Sequence, residues 1–197
     1  MSVVDLIATA DDRGLAASGL ACLDRCVPLL GGDDEILRPL WANLTDDSDP
    51  AGWGPLVEQV RAKLDADAGA FGDSAAQRGS GDAGDEPVRL ARRMLDAAPA
   101  GRSAAELREW AEACSVASLG IHRLLDPADD PTPLDARRAG DTEGMPPLAA
   151  AELRRQLTVL EVVAARGAGG LRQALGLTTE GRRVLRAAVS RRARAAG

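Results

Sequence analysis

At 197 residues, 45% of them apolar, the chain is long enough for one ordinary domain with its own core. Its net charge of −6 is split: residues 151–197 carry ten arginines against Glu152, Glu161 and Glu180, a balance of +7, and residues 1–150 carry the other −13. No run of about 18 apolar residues offers a membrane span, the opening MSVVDLIATADDRG lacks the basic and apolar regions of a signal peptide, and three cysteines make no disulfide framework.

The predicted elements are helical throughout. Ser2 with Asp5 forms a capping-box-like start, and Val3, Leu6, Ile7 and Ala10 follow at helical spacing. Asp11 or Asp12 caps a second helix, with Leu15, Cys22, Cys26 and Leu29 in a stripe, ended by Pro28 and Gly31-Gly32. Asp33 or Asp34 starts a third, with Ile36, Leu37, Leu40, Trp41 and Leu44 on one face and a kink expected at Pro39. Pro55 suits the first turn of a fourth, striped by Leu56, Val57, Val60 and Leu64.

Residues 65–86 are rich in Gly, Ser and Asp and read as a flexible linker. Pro87 opens a fifth helix carrying Val88, Ala91, Met94, Leu95 and Ala98. Ser103 and Glu106 form a capping box for the longest helix of the body, with Leu107, Cys114, Ser118, Ile121 and Leu125 in line. Residues 126–147, rich in Pro and Asp, read as a second flexible loop. Leu153, Leu157, Leu160 and Ala164 then stripe a helix ending at Gly167 to Gly170. Leu171, Ala174 and Leu175 stripe a short one ending at Gly176, and Val184, Leu185 and Ala188 a last one capped by Thr178. No period-2 alternation marks a strand.

Within residues 157–189, Leu171, Ala174, Leu175, Gly176, Leu177 and Thr178 end in the phrase A-L-G-L-T. That stretch resembles the helix-turn-helix family of DNA-binding modules. The resemblance, extended over about residues 152–194, implies that Gly176 supplies a left-handed turn and that Thr178 caps a third helix. It implies that Thr179, Arg182, Arg183 and Arg186 face a duplex. The chain departs from the family at Arg182, where an apolar residue is usual, and at Gly181, which weakens the third helix; no strand pair follows to form a wing. The alternative is a helical hairpin with a glycine connector and a solvated arginine face.

Cys22 and Cys26 share a helical face, and Cys114 and His122 lie together on another helix, a Cys₃His set that could suit zinc. All three cysteines fall on apolar stripes, so burial without metal is the expectation. Asp126, Asp129 and Asp130 read as an acidic loop rather than a magnesium motif, because Pro127 and Pro131 break the helix that motif needs. No catalytic triad, P-loop or dinucleotide fingerprint is present.

These observations predict an all-α protein, an orthogonal or irregular bundle of about seven to nine helices with two long flexible loops. An acidic body, 1–147, is joined to a basic segment, 148–197, which packs on it or projects from it. The expected function is that of a cytoplasmic, non-enzymatic interaction or regulatory module, binding a protein partner or itself. A DNA-binding transcriptional regulator is the alternative, and no catalytic residue, cofactor or metal is expected.

Overall fold

The computed structural model describes residues 1–46, 48–75 and 82–195, and their side chains except at 67–75 and 82–85. It is all-helical, as the stripes predict: 79% of it is helix, and the described residues contain nine α-helices and no strand. In order these are α1 (Val3–Thr9), α2 (Asp12–Cys26), α3 (Arg38–Asp46), α4 (Trp53–Ala75), α5 (Asp82–Asp96), α6 (Ala104–Leu125), α7 (Leu134–Ala139), α8 (Pro147–Arg166) and α9 (Ala168–Ala195). Short 3-10 segments, Val27–Leu30 and Pro50–Gly52, lie between α2 and α3 and between α3 and α4.

Helix α2 is the axis of the molecule. Every residue from Gly14 to Cys26 is buried, with α6, α8, α9 and α3 packed around it. A helix hidden on all sides is normally apolar on all sides. This one takes Asp24 and Arg25 into the interior with it. Close packing rests on small residues: a Cβ at Gly19 would fall 2.6 Å from Trp110 Cε3, so glycine is what lets α6 lay an indole against α2. Trp110 meets Trp53 edge to face, centroids 6.1 Å apart. Their indole N–H groups donate to Met94 O (2.9 Å) and Pro99 O (3.0 Å), so the buried aromatics leave no donor unsatisfied.

The helix starts are chemically explicit. The Ser2–Asp5 capping box is formed, and Asp11 and Ser103 accept from Gly14 N and Glu106 N at the starts of α2 and α6. At the C-terminal end of α5, Arg61 of α4 donates to Leu95 O (3.1 Å) and Asp96 O (2.9 Å), carbonyls of the last turn, and to Ala98 O (2.8 Å) just beyond it.

Five expectations are corrected. Helix α3 starts at Arg38, so Pro39 sits in the first turn, where its missing N–H costs nothing, and no kink follows. Pro87 lies inside α5, which begins at Asp82. Helices α4 and α5 occupy much of the stretch read as a linker, as far as Ala75 and from Asp82; residues 76–81 lie outside the described residues. The stretch 126–147 contains α7 and is stitched by Arg137, which spans Asp130 Oδ1 and Oδ2 at 2.8 and 3.2 Å and donates to the carbonyls of Asp141 and Glu143.

The largest correction concerns the basic segment. Helix α9 is continuous from Ala168 to Ala195, through Gly176 and Thr178, so the turn of the helix-turn-helix reading is absent. A helical glycine costs about 1 kcal/mol. Leu171, Ala174, Thr178, Arg182 and Leu185, on both sides of Gly176, all turn inward and are buried, and that shared face outweighs the cost. Thr178 caps nothing; its hydroxyl lies 2.7 Å from Leu175 O within the helix.

Candidate functional site

Two buried polar clusters and one exposed cationic face account for His122 and for the arginines singled out above. Both clusters start from α2, at Asp24 and Arg25.

The first joins α2 to α3 and α9. Asp24 Oδ2 accepts from Trp41 Nε1 at 2.8 Å and lies 3.2 Å from the Thr178 hydroxyl, and its Oδ1 pairs with Arg182. Arg182 also donates to Asp34 O (3.0 Å). One turn on, Arg186 pairs with the exposed Asp34 side chain. Burial pushes the Asp24 carboxyl above its ordinary value, while Arg182, Trp41 and Thr178 pull it back. Asp34 is held below its ordinary value by the hydrogen bond from Arg186.

The second joins α2 to α6 and α8. Arg25 and Glu152, both fully buried, form a two-pronged pair: Nε to Oε2 at 2.8 Å and Nη2 to Oε1 at 2.6 Å. The Ser118 hydroxyl (2.7 Å) and Gln156 Nε2 (2.9 Å) also donate to Oε1. The Ser115 hydroxyl donates to Gln156 Oε1 (2.6 Å) and accepts from Arg138 Nε (3.0 Å). Arg138 in turn pairs with Glu112. Burial by itself would raise the Glu152 carboxyl; the Arg25 guanidinium, helped by His122 and the hydrogen bonds, outweighs it and lowers the value to about 2.

His122 completes this cluster. Its Nδ1 is 2.8 Å from Ser118 O, and a carbonyl only accepts, so Nδ1 carries the proton. Nε2 lies 3.6 Å from Glu152 Oε2 with no hydrogen bond. Burial pushes the imidazole below its ordinary value, against the pull of Glu152. Gly181 of α9 fits over the Arg25 stem: a Cβ there would lie 2.7 Å from Arg25 Cγ. The glycine that weakens the supposed recognition helix is therefore a packing requirement.

Cys22, Cys26 and Cys114 are buried and unpaired. Burial raises the Cys22 thiol to about 12 and the other two likewise upward. Among the described residues, no three His, Cys, Asp and Glu side chains are grouped to hold a metal ion. In the acidic loop, Asp126 caps α8 by accepting from Leu148 N (2.7 Å), and Asp130 holds Arg137.

The four residues assigned to a partner surface are thus divided. Arg182 is buried on Asp24, Arg186 is tied to Asp34, and Thr179 is half-buried with its hydroxyl 3.2 Å from Leu175 O. Arg183 alone of the arginine trio faces solvent without an ion pair. Arg172, Arg191 and Arg194 share that state; none makes a hydrogen bond or ion pair among the described residues. Arg172, Arg183 and Arg194 are eleven residues apart, about three turns each, so they align on one side of α9 with Arg191 beside them. The sequence signal that separates this outer row from the inner pair is periodicity counted from Leu171 to Leu185, and reading a break at Gly176 hid it, because the helix runs unbroken. No helix among the described residues is long and apolar enough to cross a membrane. In comparison with known proteins, the chain matches no family model, no curated protein and no solved structure.

Proposed function

We propose that the chain is a helical interaction module, of regulatory rather than catalytic role, that binds an acidic protein segment along the outer face of α9. The observation that carries this reading is the row Arg172, Arg183, Arg191 and Arg194, exposed and without an ion-pair partner on a molecule that is acidic overall. Exposed cations steer encounter and select partners more than they add raw affinity. The three unpaired thiols suit the reducing cytoplasm.

A protein segment fits better than a duplex for two reasons. Glu180 is exposed between Arg172 and Arg183, and Asp33, Asp34 and Glu35 are exposed in the segment that Arg182 and Arg186 touch. A continuous phosphate backbone meets all of these as like charges, whereas an acidic helix about 10–12 Å wide can avoid them or oppose them with a base. The DNA-binding alternative also loses the turn that its geometry needs.

The test is fluorescence anisotropy at about 0.15 M salt, where the Debye length is about 8 Å, with two labelled probes, a glutamate-rich peptide and a duplex DNA. The peptide is expected to bind, and the Arg183→Ala/Arg191→Ala/Arg194→Ala variant to lose that binding with an unchanged melting temperature. Tighter binding of the duplex than of the peptide would transfer the reading to nucleic acid. Absence of binding to both probes would overturn it altogether.

A further inference from the structure

Helices α3 and α9 do not close against each other along their whole length. A cleft of about 470 Å³ opens between α3 and the first two turns of α9, within the 300–1,000 Å³ range of small-molecule sites. The buried Trp41 and Leu171 close it from beneath, Leu175, Ala42 and Ala168 supply its accessible apolar surface, and its charged groups are Arg38 and Asp46 on the α3 wall and Arg172 on the α9 wall. Trp41 is fixed by its bond to Asp24, and Leu171 is buried, so the floor is built on the rigid interior of the fold.

The charges point one way. Two arginines stand against one aspartate. Arg172 makes no hydrogen bond or ion pair among the described residues, and Arg38 meets only Glu35, one turn back on the surface, in a pair too exposed to hold it firmly. Asp46 lies eight residues along α3 from Arg38, about 12 Å away, and accepts from Ser48. A planar guanidinium over an apolar floor suits a carboxylate carried on a flat hydrophobic body.

We infer that the α3–α9 cleft is a binding site for a small organic carboxylate, its apolar body against Leu175, Ala42 and Ala168 and its anionic group paired with Arg172 and Arg38. The site shares Arg172 with the partner surface but makes no use of Arg183, Arg191 and Arg194, so the triple variant that tests that surface leaves this site in place.

The test uses the full chain and three probes: 2-naphthoate, its neutral relative 2-naphthylmethanol, and inorganic phosphate. Binding is followed by the amide NMR shifts of Ala42, Ala168 and Gly169. Naphthoate is expected to saturate these shifts with a Kd on the order of 1 mM, as a ligand of that size allows. The neutral alcohol should bind about fivefold more weakly, Arg172→Ala should weaken naphthoate by a similar factor, and Asp46→Asn should tighten it. Phosphate alone should leave the shifts unmoved. The inference is overturned if naphthoate gives no saturating shift, if the alcohol binds equally well, if Arg172→Ala changes nothing in a variant of unchanged melting temperature, or if phosphate alone matches naphthoate.

Discussion

Arg182 and Arg183 are neighbours in sequence and opposites in energetics. Arg182 is 5% exposed and joins Asp24, Asp34 and Thr179, whereas Arg183 is exposed and makes no ion pair. Removing one member of a buried pair leaves the other charge uncompensated in the interior, at a cost of about 3–5 kcal/mol. Removing an exposed arginine changes stability by about ±0.5 kcal/mol. Arg182→Ala is therefore expected to lower the urea midpoint sharply and Arg183→Ala to leave it in place. Equal midpoints for the two variants would mean that Arg182 does not hold α9 to α2. The same logic disqualifies Arg182 from any binding assay, because its loss acts through the fold before it acts on a partner.

At the scale of the element, α9 poses the sharpest choice, and its two interior glycines answer it. Gly176 is exposed, helical, and has nothing within 4 Å of a would-be Cβ. Gly176→Ala should stabilise the protein by roughly 0.5–1 kcal/mol, because alanine gives up less backbone freedom in a helix. If the chain instead turned at Gly176 in a left-handed conformation, as a helix-turn-helix requires, the same change would be destabilising. Gly181→Ala should go the other way and cost about 1–3 kcal/mol by forcing the Arg25 stem out of place. Thermal melts of the two variants read both signs at once. Helix α8 reaches α9 through an equally tight passage, where a Cβ at Gly170 would lie 2.8 Å from the Val162 carbonyl carbon.

For the whole molecule, the buried clusters set the response to acid. The Glu152 carboxyl is lowered from 4.5 to about 2, so its contribution is present above the ordinary glutamate value and is lost as pH falls through 2. His122 is held below 6.5 by burial, so the fold favours its neutral form, and stability is lost as pH falls below about 6.5. Asp24, raised by burial, opposes both: its protonation favours the folded state. Between pH 7 and 5 His122 is the buried group that titrates on the destabilising side. Urea unfolding should show stability falling across that interval, at a limit of about 1.4 kcal/mol per pH unit for one proton. His122→Gln should flatten the slope. A wild type equally stable at pH 7 and 5, or a variant with the same slope, would remove His122 from this role.

Much of the molecule is legible in its sequence. The apolar stripes determined that it is helical, because burying one face of each segment is the only use for residues at that spacing. Capping at Ser2, at Asp11 or Asp12, and at Ser103 placed three helix starts, since those side chains satisfy N–H groups that any helix leaves open, and the structure selects Asp11 for the second. The charge split was visible as well. Which arginines would be inside was not. Asp24 and Arg25 lie off the apolar stripe of α2, between Cys22 and Cys26, and their partners Arg182 and Glu152 are more than 120 residues away, so no local pattern links them. Gly176 and Thr178 carry a strong local turn signal, and Gly181 a helix-breaking one. Both were overridden when one face of α9 found α2, Arg25 and Trp41's partner Asp24 to pack on. Local chemistry determined the elements; long-range burial alone decided that the basic segment is one helix, with Arg182 and Arg186 on its anchoring side and Arg183 on its open side.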